Sequence, residues 1–156
     1  MAKKRLLFYN DARHYYMYVY EPPIRLEDTW APVDEIADTS VDTFVYGFGA
    51  GPTMFHDTKA GEIWGSHLKR WTGLHGWRAY ENVKSLIDRG MDPLNILIER
   101  AHEKGLQFYA SLRQSHGISP EDVDNEFNWN FRIDHPELCI KGEGKYNFDF
   151  KHPEVR

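Results

Sequence analysis

The segment that decides the fold is DPLNILIERAHEKGLQFYASLRQ, residues 92–114. Asp92 can accept hydrogen bonds from the free amides of a helix start, and Pro93 at the first helical position loses no bond there. Apolar residues then recur at helical spacing, and Gly105 ends the helix because a residue without Cβ adopts the left-handed conformation readily. The apolar and aromatic run Leu106–Leu112 is typical of a strand. The segment therefore predicts one helix-to-strand step of an α/β fold, with polar residues directly after the strand.

Two earlier segments are also predicted strands. Arg5–Tyr9 is a short apolar run, and Asp42–Gly47 is rich in β-branched and aromatic residues. With Leu106–Leu112 they make about three βα units, so we expect an α/β chain that is the N-terminal, incomplete part of a (β/α)8 TIM barrel. An open doubly wound sheet is the competing architecture, but its usual phosphate loop does not follow the first strand. The glycines after the second strand do not complete a dinucleotide fingerprint, because Pro52 follows Gly51.

The remaining segments give less definite expectations. Tyr15–Tyr20 could extend the first strand or form a separate one, and Glu21-Pro22-Pro23 ends it. The other predicted elements are helices over 26–37 and 77–89, helix starts at Ser119 and Asp134, and a short strand over 146–150.

Length and the last residues bear on domain organisation. A chain of 156 residues allows one domain with a hydrophobic core, residues 1–156. At the end, Pro153 and Glu154 begin a helix that should run for two or more turns, but only four residues remain from Pro153. We therefore expect the chain to be the N-terminal fragment of a longer protein.

Charge and composition exclude several partners. The net charge of -5 argues against non-specific nucleic-acid binding, which needs a basic surface. No apolar run approaches twenty residues, so we expect no membrane partner, and no signal-peptide core fits at the N-terminus. The single cysteine, Cys139, cannot form an internal disulfide. These features favour a cytoplasmic protein.

Three stretches carry a family resemblance: LEDTWAPVDEI (26–36), residues 92–113 with their AHEKG, and NFDFKHPEVR (147–156). They resemble the glycosyl-hydrolase-like TIM-barrel proteins labelled family 10-like, over nearly the whole chain. A related pattern, Ala-His-x-x-Gly before a strand, occurs in many sugar-handling barrels. The resemblance implies a (β/α)8 fold and a carbohydrate substrate. In such families the catalytic carboxylates lie on the fourth and later strands, so the resemblance assigns no catalytic residue here.

The candidate substrate-binding residues lie where the predicted strands end. Arg113 could hold a carboxylate or two hydroxyls with its planar guanidinium, or form a salt bridge inside the barrel mouth. Asp11 could bind sugar hydroxyls or stabilise the turn after the first strand. Asn10 and His116 occupy comparable positions and would be neutral hydrogen-bond partners. Asp149 is the other acid at a predicted strand end, with a local cap or turn as its alternative role.

Aromatic residues are frequent, at 15% of the chain. Trp64, like Trp71 and Trp129, falls in a predicted loop and could stack on a sugar ring, the alternative being that it covers the barrel rim. The histidines have no metal-ligand spacing, so we predict no metal site and no cofactor.

These observations favour one function and leave a second open. We expect the N-terminal part of a glycoside-hydrolase-like enzyme, contributing to a sugar-binding barrel mouth, with the catalytic carboxylates downstream of residue 156. The alternative is a non-catalytic barrel that binds a small ligand or partner. The chain alone should be inactive, and it should self-associate through its uncovered barrel edges.

Overall fold

The computed structural model describes residues 5–114, 117–142 and 145–155. The strands are β1 (Leu7–Asp11), β2 (Thr43–Ala50), β3 (Thr53–Met54), β4 (Glu62–Ile63), β5 (Gln107–Arg113), β6 (Cys139–Gly142) and β7 (Lys145–Phe148). The helices are α1 (Leu26–Thr29), α2 (Ala31–Asp34), α3 (Leu74–Asp88), α4 (Pro93–Glu103) and α5 (Asn130–Asp134). A π-helical turn spans Tyr15–Val19, and 3-10 turns span Pro136–Leu138 and Pro153–Val155.

The three main strands lie side by side and run in the same direction. β2 is central and pairs in parallel with β1 on one side and β5 on the other. The register places Asn10 beside Tyr46, and Tyr46 beside Ala110. The fold is thus mixed α/β around a parallel sheet, and the carboxyl ends of β1, β2 and β5 meet at one edge.

The two faces of this sheet differ sharply in burial. On the face toward the helices, the Phe44 ring lies 6.3 Å from that of Phe8 and 5.7 Å from that of Phe108. Leu7, Tyr9 and Tyr109 lie on the opposite face, because side chains alternate along a strand, and each is more than half exposed. We call this second surface, formed by Leu7, Tyr9, Val45 and Tyr109, the open face.

The helix-to-strand step that the sequence predicts is confirmed. The Leu94 amide donates to Asp92 Oδ1 at 3.1 Å, and Gly105 ends the helix with a φ of 73°. Asp92 Oδ1 also accepts from the Asp57 amide at 3.3 Å. One carboxylate therefore caps α4 and holds the loop that follows β3 against it.

Several predictions for the first half of the chain need correction. β1 lies two residues later than Arg5–Tyr9, so Asn10 and Asp11 belong to the strand. Tyr15–Val19 is a π-helical turn rather than a strand, and its Tyr16 carbonyl accepts from Asn82 of α3 at 3.0 Å. The predicted helix over 26–37 is two short helices, because Pro32 has no N–H to continue the bonding pattern.

The second half also departs from the predictions. Ser119 begins a turn and not a helix, because the buried Asn128 side-chain amide donates to the Ser119 and Asp122 carbonyls, both at 3.0 Å. The predicted helix start at Asp134 yields only the 3-10 turn Pro136–Leu138. The short strand predicted over 146–150 is present as β7, which pairs antiparallel with β6 in a separate sheet.

The described part of the chain contains no helix with the length and apolar character needed to cross a membrane.

Gly105→Ala tests the left-handed helix end. Alanine at this φ should lower the free energy of unfolding by about 1–2 kcal/mol, because its Cβ crowds the following carbonyl. Urea unfolding measures the change. Gly142→Ala is the matched control: it too has open space around the new Cβ, but its φ is not left-handed. Equal losses in the two variants would contradict the assignment.

Candidate functional site

Polar groups gather on the open face where the parallel strands end. The register aligns Asp11 with Gly47 and Gly47 with Ser111, so these three residues share that face. Arg113 lies two residues beyond Ser111 at the end of β5. The Tyr9 hydroxyl lies over Gly47, where a Cβ would be only 2.3 Å from it. We call Tyr9, Asp11, Gly47, Ser111 and Arg113 the strand-end cluster.

Gly47 makes the shape of this cluster possible. Since it has no side chain, a gap opens between Asp11 and Ser111, and the Tyr9 ring reaches into it along the strand. The cluster then presents a phenol, a carboxylate, a hydroxyl and a guanidinium on one surface. These groups donate and accept hydrogen bonds at several points, as ligands rich in hydroxyl groups require.

Asp11 is held in place by an ion pair. Its Oδ2 lies 3.0 Å from Arg13 Nη2, and both side chains are about one-fifth exposed. The Arg13 guanidinium in turn lies over the Phe127 ring, 5.4 Å from its centroid. This contact joins the end of β1 to the segment around residue 127 and fixes the orientation of the Asp11 carboxylate.

Glu126 adds a second carboxyl group close to Arg13. Burial raises its pKa above the ordinary value of a glutamate, while the positive charge of Arg13 and the neighbouring His75 oppose this rise. The carboxylate packs against Gly76 in the first turn of α3, where a Cβ would be 2.2 Å from Oε2. Glu126 carries no signal in the sequence, because it does not follow a predicted strand as the other polar candidate residues do.

Asn10 does not belong to the strand-end cluster. It precedes Asp11 in β1, so its side chain points to the opposite face, beside Tyr46 and toward the helices. It is buried, and its Oδ1 has no hydrogen-bond donor among the described residues. Burial raises the pKa of the neighbouring Tyr46. Asn10 therefore lies in the interior between sheet and helices.

Trp64 also lies in the interior, at 1% exposure. Its ring packs against Phe55 at 5.2 Å, Phe127 at 5.8 Å and Trp71 at 6.2 Å. This placement corrects the expectation that Trp64 stacks on a sugar, because its ring faces are covered by other aromatic residues. The alternative role, packing beneath the rim of the sheet, fits its position.

The other predicted residues are placed as follows. Asp149 Oδ1 accepts from the Lys151 amide at 3.0 Å and its own amide donates to the Leu138 carbonyl, which is the turn role weighed for it. Asp149 follows β7 in the separate hairpin and is not part of the parallel sheet. Arg113 is exposed at the strand end, and the Gly51 amide donates to its carbonyl at 2.7 Å. His116 lies outside the described residues.

The absence of a metal cluster can be stated for residues 5–114, 117–142 and 145–155. They contain no group of three or more histidine, cysteine, aspartate or glutamate side chains placed to hold a metal ion.

The raised pKa of Glu126 predicts a pH dependence of stability. The folded chain binds this proton more tightly than the unfolded chain, so the contribution of Glu126 to stability is full below about pH 4.3 and decreases as pH rises through the folded-state pKa. Glu126→Gln should remove this decrease. Unfolding free energies of wild type and variant, measured by urea titration between pH 4 and 7, should therefore diverge with rising pH in favour of the variant.

Glu121→Gln provides the control, since Glu121 is an exposed residue of the same segment. The difference in unfolding free energy between Glu121→Gln and wild type should stay constant over the same pH range. A constant difference for Glu126→Gln as well would contradict the assigned environment of Glu126.

The chain was compared with protein families and with curated proteins. No family model matches it, and no curated protein matches it significantly.

Proposed function

We propose that this chain forms the first three βα units of a (β/α)8 barrel in a carbohydrate-active, glycoside-hydrolase-like enzyme. In this proposal the strand-end cluster is part of the sugar-binding mouth. One observation carries it: the parallel strands expose an apolar face whose carboxyl ends bear Tyr9, Asp11, Ser111 and Arg113. Barrels place their binding residues at the carboxyl ends of the strands.

The barrel part of the proposal is supported by the one-sided burial of the sheet. Helices cover the outer face of barrel strands, and bulky apolar side chains fill the inside. Here Leu7, Tyr9 and Tyr109 are each more than half exposed on the open face. Among the described residues, β1 and β5 each pair with β2 alone. Further parallel strands would extend both edges of the sheet and cover the open face. Without those strands, two copies of the chain should associate through the open face.

The sugar part of the proposal is supported by the chemistry of the cluster. Sugars offer closely spaced hydroxyls that both donate and accept hydrogen bonds. Asp11, fixed by Arg13, can accept from a pair of hydroxyls, while Arg113 donates to them. The family resemblance points to the same substrate class.

A second candidate function, ligand binding without catalysis, is favoured by the charge balance at the strand ends. Glycoside hydrolysis uses two carboxyl groups about 5–10 Å apart, one on each side of the bond. Asp11 is the one carboxylate of the strand-end cluster, and it is neutralised by Arg13. Under both candidates this chain binds the sugar. They differ in whether later strands supply the catalytic carboxylates, as our first proposal has it.

Calorimetric titration with a panel of cello-, xylo-, malto- and chito-oligosaccharides tests the proposal. At least one series should bind, and Asp11→Asn should weaken that binding about tenfold or more, because a hydrogen bond to a charged group is lost. Glu121→Gln should bind as wild type does. Because the catalytic carboxylates are proposed to lie on later strands, this chain alone should leave the bound series unhydrolysed.

Two results would contradict the proposal. One is the absence of binding to every series. The other is binding that Asp11→Asn leaves unchanged although the variant melts as wild type does, because the sugar would then occupy a different surface.

A further inference from the structure

The most unusual buried group lies away from the strand-end cluster. Arg132 of α5 is fully buried, at 0% exposure. None of its three guanidinium nitrogens has a hydrogen-bond acceptor among the described residues. Arginine presents five N–H donors and stays charged at physiological pH. The chain thus encloses a positive charge that its described residues do not neutralise.

The surroundings of Arg132 are aromatic on one side. The guanidinium lies over the Phe148 ring, 5.0 Å from its centroid. Trp129, three residues before Arg132, meets the same ring edge to face at 5.8 Å, and its buried indole N–H also has no described acceptor. Phe148 therefore brings together two side chains that carry hydrogen-bond donors without acceptors.

The ionisable group that acts on Arg132, the Cys139 thiol, does not supply a counter-charge. Burial lowers the pKa of Arg132, and the Cys139 thiol is the one described group whose charge would oppose this effect. Burial also raises the pKa of Cys139, so the thiol stays uncharged at neutral pH. No described carboxylate forms an ion pair with Arg132.

An arrangement of this kind is unfavourable unless an acceptor completes it. Burial of an unpaired charge costs several kcal/mol, and each unpaired donor adds to the cost. A flat guanidinium stacked on a ring keeps its N–H edge free, and that edge matches two oxygens of one oxyanion. The Arg132 side chain therefore suits an acceptor that is negatively charged and small enough to lie beside Phe148.

We propose that Arg132, with the Trp129 indole N–H and the Phe148 ring, forms an internal binding site for a small oxyanion, either a carboxylate or a phosphate group. Arg132 binds the anion through two parallel hydrogen bonds. Phe148 holds the guanidinium plane, and Trp129 provides a further donor. This site is independent of the proposed sugar-binding function.

The anion can reach Arg132 when the β6–β7 hairpin opens. Each of its strands has four residues, and most of their side chains are exposed. Two-stranded hairpins are marginally stable on their own, so this one can open without unfolding the parallel sheet. Because Phe148 belongs to β7, opening of the hairpin uncovers Arg132.

Thermal unfolding of the full chain tests the site, with acetate and inorganic phosphate as probes at constant ionic strength set by sodium chloride. Wild type should show a saturable rise in Tm with at least one probe, of about 3–6 °C at ten times the Kd. Arg132→Met should show no such rise. In chloride alone, Arg132→Met should melt no lower than wild type, because it removes an unpaired buried charge.

Arg70→Met is the matched control, since Arg70 is an exposed arginine whose ion pair with Asp124 lies at the surface. It should respond to the anion as wild type does. Arg132→Lys keeps the charge without the planar fork, and it should need at least tenfold more anion for the same rise. Equal anion responses in wild type and Arg132→Met, or no saturable response in wild type to either probe, would overturn the proposal.

Discussion

The parallel pairing of β1 and β5 with β2 brings three strand ends to one edge of the sheet, and the candidate site follows from that geometry. If β2 ran antiparallel to its two neighbours, Gly47 would lie at the opposite edge of the sheet from Asp11 and Ser111. Because the pairing is parallel, each strand must be reached by a crossover, and α1–α4 supply these crossovers. Their apolar sides cover the same face of the sheet and leave the other open.

The alternation of side chains along β1 then places candidate binding residues on the open face and packing residues against the helices. Asn10 and Asp11 are adjacent in sequence and both polar, yet one lies against the helices beside Tyr46 and the other on the open face beside Gly47. The same rule places Tyr9 with Asp11, although an apolar run gives no hint of a functional hydroxyl. Gly47 has no side chain, and this matters because any side chain at this position would displace the Tyr9 ring.

Local signals in the sequence predicted the central part of the fold well. Asp92, Pro93 and Gly105 act through bonds and φ values within a few residues, so α4 and β5 could be predicted without knowledge of the rest. The shift of β1 by two residues follows from its pairing with β2, and the π-helical turn at Tyr15 depends on packing against α3. Short apolar and aromatic runs carry no information on that packing.

The site was less predictable, for a related reason. The position of Asp11 and Arg113 follows from strand ends, which the sequence marks. Glu126 and Arg13 lie close together where residues 119–128 form a turn, in which the buried Asn128 side-chain amide donates to the Ser119 and Asp122 carbonyls. Trp64 looked like a loop residue available to a ligand, but its ring is covered by Phe55 and Trp71 and by Phe127 from a segment distant in sequence. Composition cannot distinguish these two environments.

The parallel register can be measured most directly by NMR on the isotope-labelled chain. Nuclear Overhauser contacts between backbone protons of neighbouring strands should place Asn10 beside Tyr46 and Tyr46 beside Ala110, with Leu7 beside Thr43 in the same direction. Contacts that run the opposite way, with Asn10 beside Thr43 and Leu7 beside Tyr46, would place the strand ends apart and contradict the account.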